Sequence, residues 1–217
     1  RKISAGGVVT TLAGSPPAAI NGPGLTARMG IAFGVAMDAS GNTYFTDSYN
    51  YVIRKVSSTG VVSTVAGKAG VPGSDDGIGI NARFDRPQGI AVDSAGNVYV
   101  SDYNNFTIRK ITADGLVSTL AGKARTFGSQ NGTGEEARFS NLAGVAVDKS
   151  GNVYVADRGN RRIQVFDTAG NLLRIIQINV PAPADAPVAI GNRPVVPPAG
   201  PDAAPNKTMM PGAPWAL

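Results

Sequence analysis

Val35-Ala36-Met37-Asp38-Ala39-Ser40-Gly41-Asn42 returns 55 residues later as Ile90-Ala91-Val92-Asp93-Ser94-Ala95-Gly96-Asn97, and 55 later again as Val145-Ala146-Val147-Asp148-Lys149-Ser150-Gly151-Asn152. A fixed period near this length marks a solenoid, propeller or other stacked array, in which neighbouring units bury one another. Within the octet, an apolar run precedes Asp-x-x-Gly-Asn, and an alternating run comes after it. Gly supplies a positive φ, and Asp and Asn can bond local backbone, so the octet reads as strand, tight turn, strand.

Working outward, each unit reads as four short strands. In the first unit these are Gly34–Asp38, Asn42–Thr46, Tyr51–Ser57 and Val61–Ala66, with Ser58-Thr59-Gly60 turning between the last two. The same pattern spans Gly89–Ala121 and Gly144–Gln177. Arg1-Lys2-Ile3 aligns with Arg54-Lys55-Val56 and Arg109-Lys110-Ile111. Arg1–Ser4 and Val8–Ala13 are therefore expected to be the last two strands of a preceding unit, so that the sequence opens inside a repeat. Connectors Gly67–Pro87 and Gly122–Leu142 carry their own matched element, Asp76-Gly77-Ile78-Gly79 before Ala82-Arg83-Phe84 and Asn131-Gly132-Thr133-Gly134 before Ala137-Arg138-Phe139. A shorter one holds Asn21-Gly22-Pro23-Gly24 before Ala27-Arg28-Met29. Loops of this length are uncommon unless functional, and recurrence in register predicts an ordered loop. From Ile178 the period stops. Ten of the fifteen prolines fall in 178–217, so the chain divides into repeats over 1–177 and a Pro-rich extended tail over 178–217.

Composition narrows the chemistry. The 28 glycines and 6% aromatics fit turn-rich β structure, and no run of 18 apolar residues suggests a membrane span. Cysteine and histidine are both absent, which removes disulfides, thiolate or imidazole metal sites and His-based triads from this chain. The formal charge of +5 is the modest excess of a solvated surface.

Gly144–Ile163, of the form Gly-Val-Ala-Val-Asp-x-x-Gly-Asn-Val-Tyr-Val-Ala-Asp-x-x-Asn-x-x-Ile, resembles the NHL repeat. The linking Asp-Gly-x-Gly-x-x-Ala-Arg-Phe element is similar to the long repeats of bacterial and teneurin-like extracellular proteins. The resemblance covers 1–177. It implies an all-β fold, a β-propeller of four-stranded blades around a channel, commonly six in this family. Three complete units and part of a fourth would form a sector of such a ring. Two apolar blade faces would then need cover, from further blades or from a second copy of the chain.

Propeller geometry places the connectors and the second-to-third turns on one face, where a rigid scaffold hosts function. Asp47, Asp102 and Asp157, each followed three residues later by Asn50, Asn105 or Asn160, read either as an oxygen cluster for Ca²⁺ or as turn-forming residues; recurrence in every unit favours turns. Arg28, Arg83 and Arg138 offer guanidinium forks for anionic ligands, or inter-blade salt bridges with Phe84 and Phe139 packing beside them. Residues outside the repeat pattern are the stronger binding candidates: Lys123, Arg125 and Phe127 on one connector, the basic Arg158, Arg161 and Arg162, Tyr103 and Phe106 at comparable places, and Trp215 in the tail.

These features point to a non-enzymatic scaffold or recognition module for proteins or carbohydrates, secreted, periplasmic or on a bacterial cell surface, with no cofactor. A gluconolactonase-like hydrolase would need carboxylates converging from different blades, whereas Glu135 and Glu136 are adjacent and are the only glutamates. RNA binding is permitted by the Arg158–Arg162 cluster, but nearby acidic residues dilute the field a phosphate backbone would meet.

Overall fold

In a computed structural model, residues 2–11, 19–23 and 26–178 are described. Residues 179–217 of the expected tail, Trp215 included, and the end of the strand read to Ala13 lie outside those residues. The chain falls into two units, Arg1–Gln177 and Ile178–Leu217, and every described strand belongs to the first.

The described residues hold β-strands and short 3-10 turns and no α-helix. A hairpin of β1 (Lys2–Ile3) and β2 (Val9–Thr10) precedes β3 (Gly22–Pro23). The first blade is β4 (Ala32–Met37), β5 (Thr43–Asp47), β6 (Val52–Val56) and β7 (Val61–Ala66). After β8 (Gly77–Ile78), the second is β9 (Pro87–Val92), β10 (Val98–Asp102), β11 (Thr107–Ile111) and β12 (Leu116–Ala121). The third is β13 (Leu142–Val147), β14 (Val153–Asp157), β15 (Arg162–Phe166) and β16 (Leu172–Gln177). Within each blade the strands lie in chain order as an antiparallel meander. These are blades of a β-propeller.

Local chemistry explains the hairpins. Asp38 accepts the Ser40 and Asn42 backbone N–H groups, both at 2.9 Å, and Asp93 and Asp148 repeat the arrangement. Gly41, Gly96 and Gly151 sit at φ 79°, 82° and 87°, where a side chain would be strained. The connectors are more structured than the sequence suggested. β3 adds to the outer edge of β7 and β8 to that of β12, so these two connectors each supply a short fifth strand to the blade they lead into and cover its edge, while the third sheet has four strands.

The core lies between blades. Ile53 and Ala66 of the first blade meet Phe84, Ile90, Val98 and Ile111 on the next. Ile108 and Ala121 of the second meet Phe139, Leu142, Val155 and Phe166. Phe84 and Phe139 are fully buried, and truncating such a side chain costs about 3–5 kcal/mol. Near the axis, innermost strands touch through backbone. Gly34 N–H donates to Thr46 Oγ1 (2.9 Å), which donates to Gln88 O across the junction (2.8 Å). Gly89, Ser101 and Ala143 O repeat the bridge at 2.7 and 2.6 Å. A Cβ on Gly34 or Gly89 would collide with those carbonyl oxygens. The third blade differs: a Cβ on Gly144 would meet nothing within 4 Å, and Ala156 stands where Thr46 and Ser101 carry hydroxyls. On the opposite flank Phe33, Val35 and Met37 are 54%, 70% and 68% exposed. Among the described residues, both flanks of the three-blade sector present open surface.

Candidate interaction face

The 3-10 turns Ser48–Asn50, Tyr103–Asn105 and Arg158–Asn160 join second to third strands and dock directly on the connectors. Asn104 N–H donates to Asp85 O (3.1 Å), Gly159 N–H to Ser140 O (2.8 Å), and Arg125 N–H to Asn105 O (3.0 Å). Connectors and turns therefore share one face, as propeller geometry requires.

A buried ion pair under each turn fixes that face. Asp47, Asp102 and Asp157 have no exposed surface. One oxygen of each accepts a connector N–H, from Gly30, Asp85 and Ser140 at 3.0, 2.8 and 2.8 Å. Asn50, Asn105 and Asn160 donate to the same carboxylates. A guanidinium completes each set: Arg54 to Asp47 at 3.4 Å, Arg109 to Asp102 at 3.1 Å and Arg162 to Asp157 at 2.7 Å. Of the two readings of these aspartates, this bonding supports the structural one. Protein N–H donors enclose their oxygens one blade at a time, and no group of three or more metal-ligating side chains forms among the described residues. Burial pushes the Asp102 carboxyl up to about 7, against the pull of Arg109, Asn105 and the Asp85 N–H.

The same arginines tie down the connectors. Arg109 donates to Arg83 O (2.8 Å), Asp75 O (3.0 Å) and Asp76 Oδ1 (2.5 Å), and its guanidinium lies 5.1 Å from the Phe84 ring centroid. Arg54 holds Arg28 O, Ile20 O and Asn21 Oδ1. In the third blade this task moves two residues along the strand. Gln164 stands at the Arg109 position, and Arg162, at the Thr107 position, reaches Arg138 O, Ser129 O and Asn131 Oδ1. Arg162 is thus only 5% exposed, which corrects its place among the binding candidates.

Arg28 is exposed, whereas the reading of Arg83 and Arg138 is corrected. Arg83 donates to Ile80 O and Ala82 O at 2.6 and 2.8 Å, and Arg138 to Glu135 O and Ala137 O at 2.5 and 2.8 Å. They brace their own connectors, and the ion pairs formed among the described residues belong to Arg54, Arg109 and Arg162. Arg54 and Arg109 align in the sequence, yet the alignment alone assigned them no role. The available signal was an arginine recurring inside a strand seven residues after the turn aspartate.

The remaining candidates reach the surface. Lys123, Arg125, Arg158 and Arg161 are exposed. Tyr103 donates to Asn141 Oδ1 (3.2 Å), and Phe106 lies 6.0 Å from Phe127, centroid to centroid. Tyr49 lies 5.0 Å beneath the Arg86 guanidinium and stacks on Phe33 at 6.3 Å.

Blades of this build, with one face clamped by buried ion pairs, define a repeat-built β-propeller. The NHL repeat matches residues 84–111 and 139–166, each running from the connector phenylalanine through the third strand. The chain is similar to NHL repeat-containing protein 3 of Mus musculus, 36% identical over 123 residues that make up 55% of this chain and 32% of that protein. It is 33% identical over 106 residues to the probable peptidyl-alpha-hydroxyglycine alpha-amidating lyase of Caenorhabditis elegans, covering 48% of this chain and 28% of the lyase. The chain thus matches about a third of the length of these relatives, whose names include enzymatic and non-enzymatic ones. A Bacteroides thetaiotaomicron structural-genomics protein of unknown function has the same fold, with a TM-score of 0.56, 25% identity, and coverage of 71% of this chain and 38% of that one.

Proposed function

We propose that the chain is a non-enzymatic recognition module that binds other proteins, or carbohydrate, through its connector face. One observation carries this reading: exposed basic and aromatic side chains stand on loops that buried Arg–Asp pairs hold rigid, so the face is ordered before any partner arrives. The 55-residue spacing and the ordered connector support placement with the long-repeat propellers of bacterial and teneurin-like extracellular proteins. We therefore propose a secreted, periplasmic or cell-surface location. The described residues contain no helix long and apolar enough to cross a membrane. The open flanks suit further blades or a second copy of the chain.

Against hydrolase or lyase chemistry in this sector, Glu135 and Glu136 share one exposed turn, Gly134–Glu136, and the buried aspartates are occupied by arginine and asparagine. Capture of proteins from the envelope or culture supernatant of the source organism tests the proposal. Wild-type chain should retain partners that the Tyr49→Ala/Arg86→Glu variant, altered at exposed face residues, releases. Equal capture by both, or turnover of lactone or α-hydroxyglycine substrates, would overturn it.

A further inference from the structure

We infer that the corner where the 122–130 connector meets the turns at 103–106 and 158–161 binds an acidic protein segment carrying an apolar side chain. This inference rests on the recognition reading above. The repeat itself isolates the site. Every position of this corner has a counterpart 55 residues earlier that builds the same backbone, so fold requirements can be read off the earlier copy. There, Gly70 and Pro72 occupy the positions of Arg125 and Phe127. Gly70 takes φ 75° and Arg125 takes φ 58°. The left-handed conformation is free for glycine, while an arginine there costs of order 1 kcal/mol. The fold thus accepts glycine at this point, and the chain carries a strained arginine.

Phe127 is the second departure. It is 72% exposed, the most exposed large apolar side chain among the described residues. It leans on Phe106, which follows the turn clamped by Asp102. Burying such a ring beneath a partner's apolar side chain releases about 25 cal/mol for each Å² covered.

The third departure is charge. Asn160 donates to Gly128 O at 2.7 Å, bringing the turn of Arg158 and Arg161 against the Phe127 strand segment. In the first blade the matching positions are Ser48 and Tyr51, both uncharged. Lys123, Arg125, Arg158 and Arg161 are exposed, and none makes an ion pair or side-chain hydrogen bond with the described protein. Four cations with no ion-pair partner among the described residues, on the loops that carry one aromatic pair, match a short run of carboxylates flanking an apolar residue. A nucleic acid fits less well. Only one aromatic pair is offered for stacking, and exposed Glu135 and Glu136 lie farther along the same connector, where a longer phosphate backbone would be repelled.

Fluorescence anisotropy tests the inference on the intact chain with three probes: a labelled peptide of two Glu-Glu pairs flanking Leu-Phe, its Gln-for-Glu counterpart, and a labelled uridine decamer. The variant Arg125→Gly/Phe127→Pro restores residues the preceding connector already uses, so it should fold with an unchanged circular dichroism spectrum. The acidic peptide should bind the wild type at least tenfold more tightly than it binds this variant, and tenfold more tightly than the Gln peptide binds the wild type. Equal peptide binding by the two proteins, absence of peptide binding, or tighter binding of the uridine decamer would overturn it. Loss of captured partners in Tyr49→Ala/Arg86→Glu alongside any of those results would leave the recognition face standing and remove only this site.

Discussion

At the residue scale, the third blade performs a natural experiment on the buried ion pair. Arg109 and Arg162 hold equivalent connectors from strand positions two residues apart, and each pairs with the buried carboxylate beneath its turn. Removing one partner of a buried pair costs about 3–5 kcal/mol because the other is left buried and uncompensated. Arg162→Thr should lower stability by that amount in urea unfolding, and adding Gln164→Arg, which rebuilds the second-blade pattern, should recover most of it. Titration supplies a second expectation. Hydrogen bonds from Asn42, Asn152 and Asn171 lower the Asp38, Asp148 and Asp167 carboxyls below the ordinary 3.8. A folded pKa below the unfolded one gives stability that is present above the unfolded value and lost as pH falls through the folded one. Asp102 has the opposite sign. With its folded value near 7, stability is lost as pH rises from about 4 to about 7. The urea midpoint should therefore drop below about pH 4, and Asp102→Asn should flatten the limb between about 4 and 7 while leaving the acid limb.

At the element scale, the junction between innermost strands carries the fold. Gly89 lies against Ala143 O and Val145 N, whereas Gly144 at the matching place faces open space. Gly89→Ala should then cost about 1–3 kcal/mol through overpacking, and Gly144→Ala should stay within about 0.5 kcal/mol. Thermal unfolding of the two variants side by side checks the contrast. Strands and turns were legible in the sequence because their causes are local: Asp38-Ala39-Ser40-Gly41-Asn42 contains the acceptor, the donor and the glycine its turn needs. The ion pairs were not legible. Arg54 and Arg109 each precede a lysine and look like solvated charges. Register shifts at Ile53/Arg54 and Ile108/Arg109, with acceptors 26 to 34 residues away, turn them inward. Arg162 was misread for the same reason, since nothing local separates it from exposed Arg161. The fifth strands escaped notice because two residues, Gly77 and Ile78, are too few to show alternation.

At the scale of the whole sector, three blades turn about a common axis, with a shared core at each junction and the connectors on one face. The absence of cysteine allows clean spin labelling of Ser58→Cys, Ala113→Cys and Thr168→Cys, three exposed turn positions related by the 55-residue period. Pulsed electron–electron distance measurement on pairs of labels reads the arrangement directly. Blades on a ring should give equal first-to-second and second-to-third distances. The first-to-third distance should be about 1.7 times that value for a six-bladed ring and about 1.8 for seven. A ratio of about 2, as for units stacked in a straight line, or unequal neighbour distances would contradict the propeller.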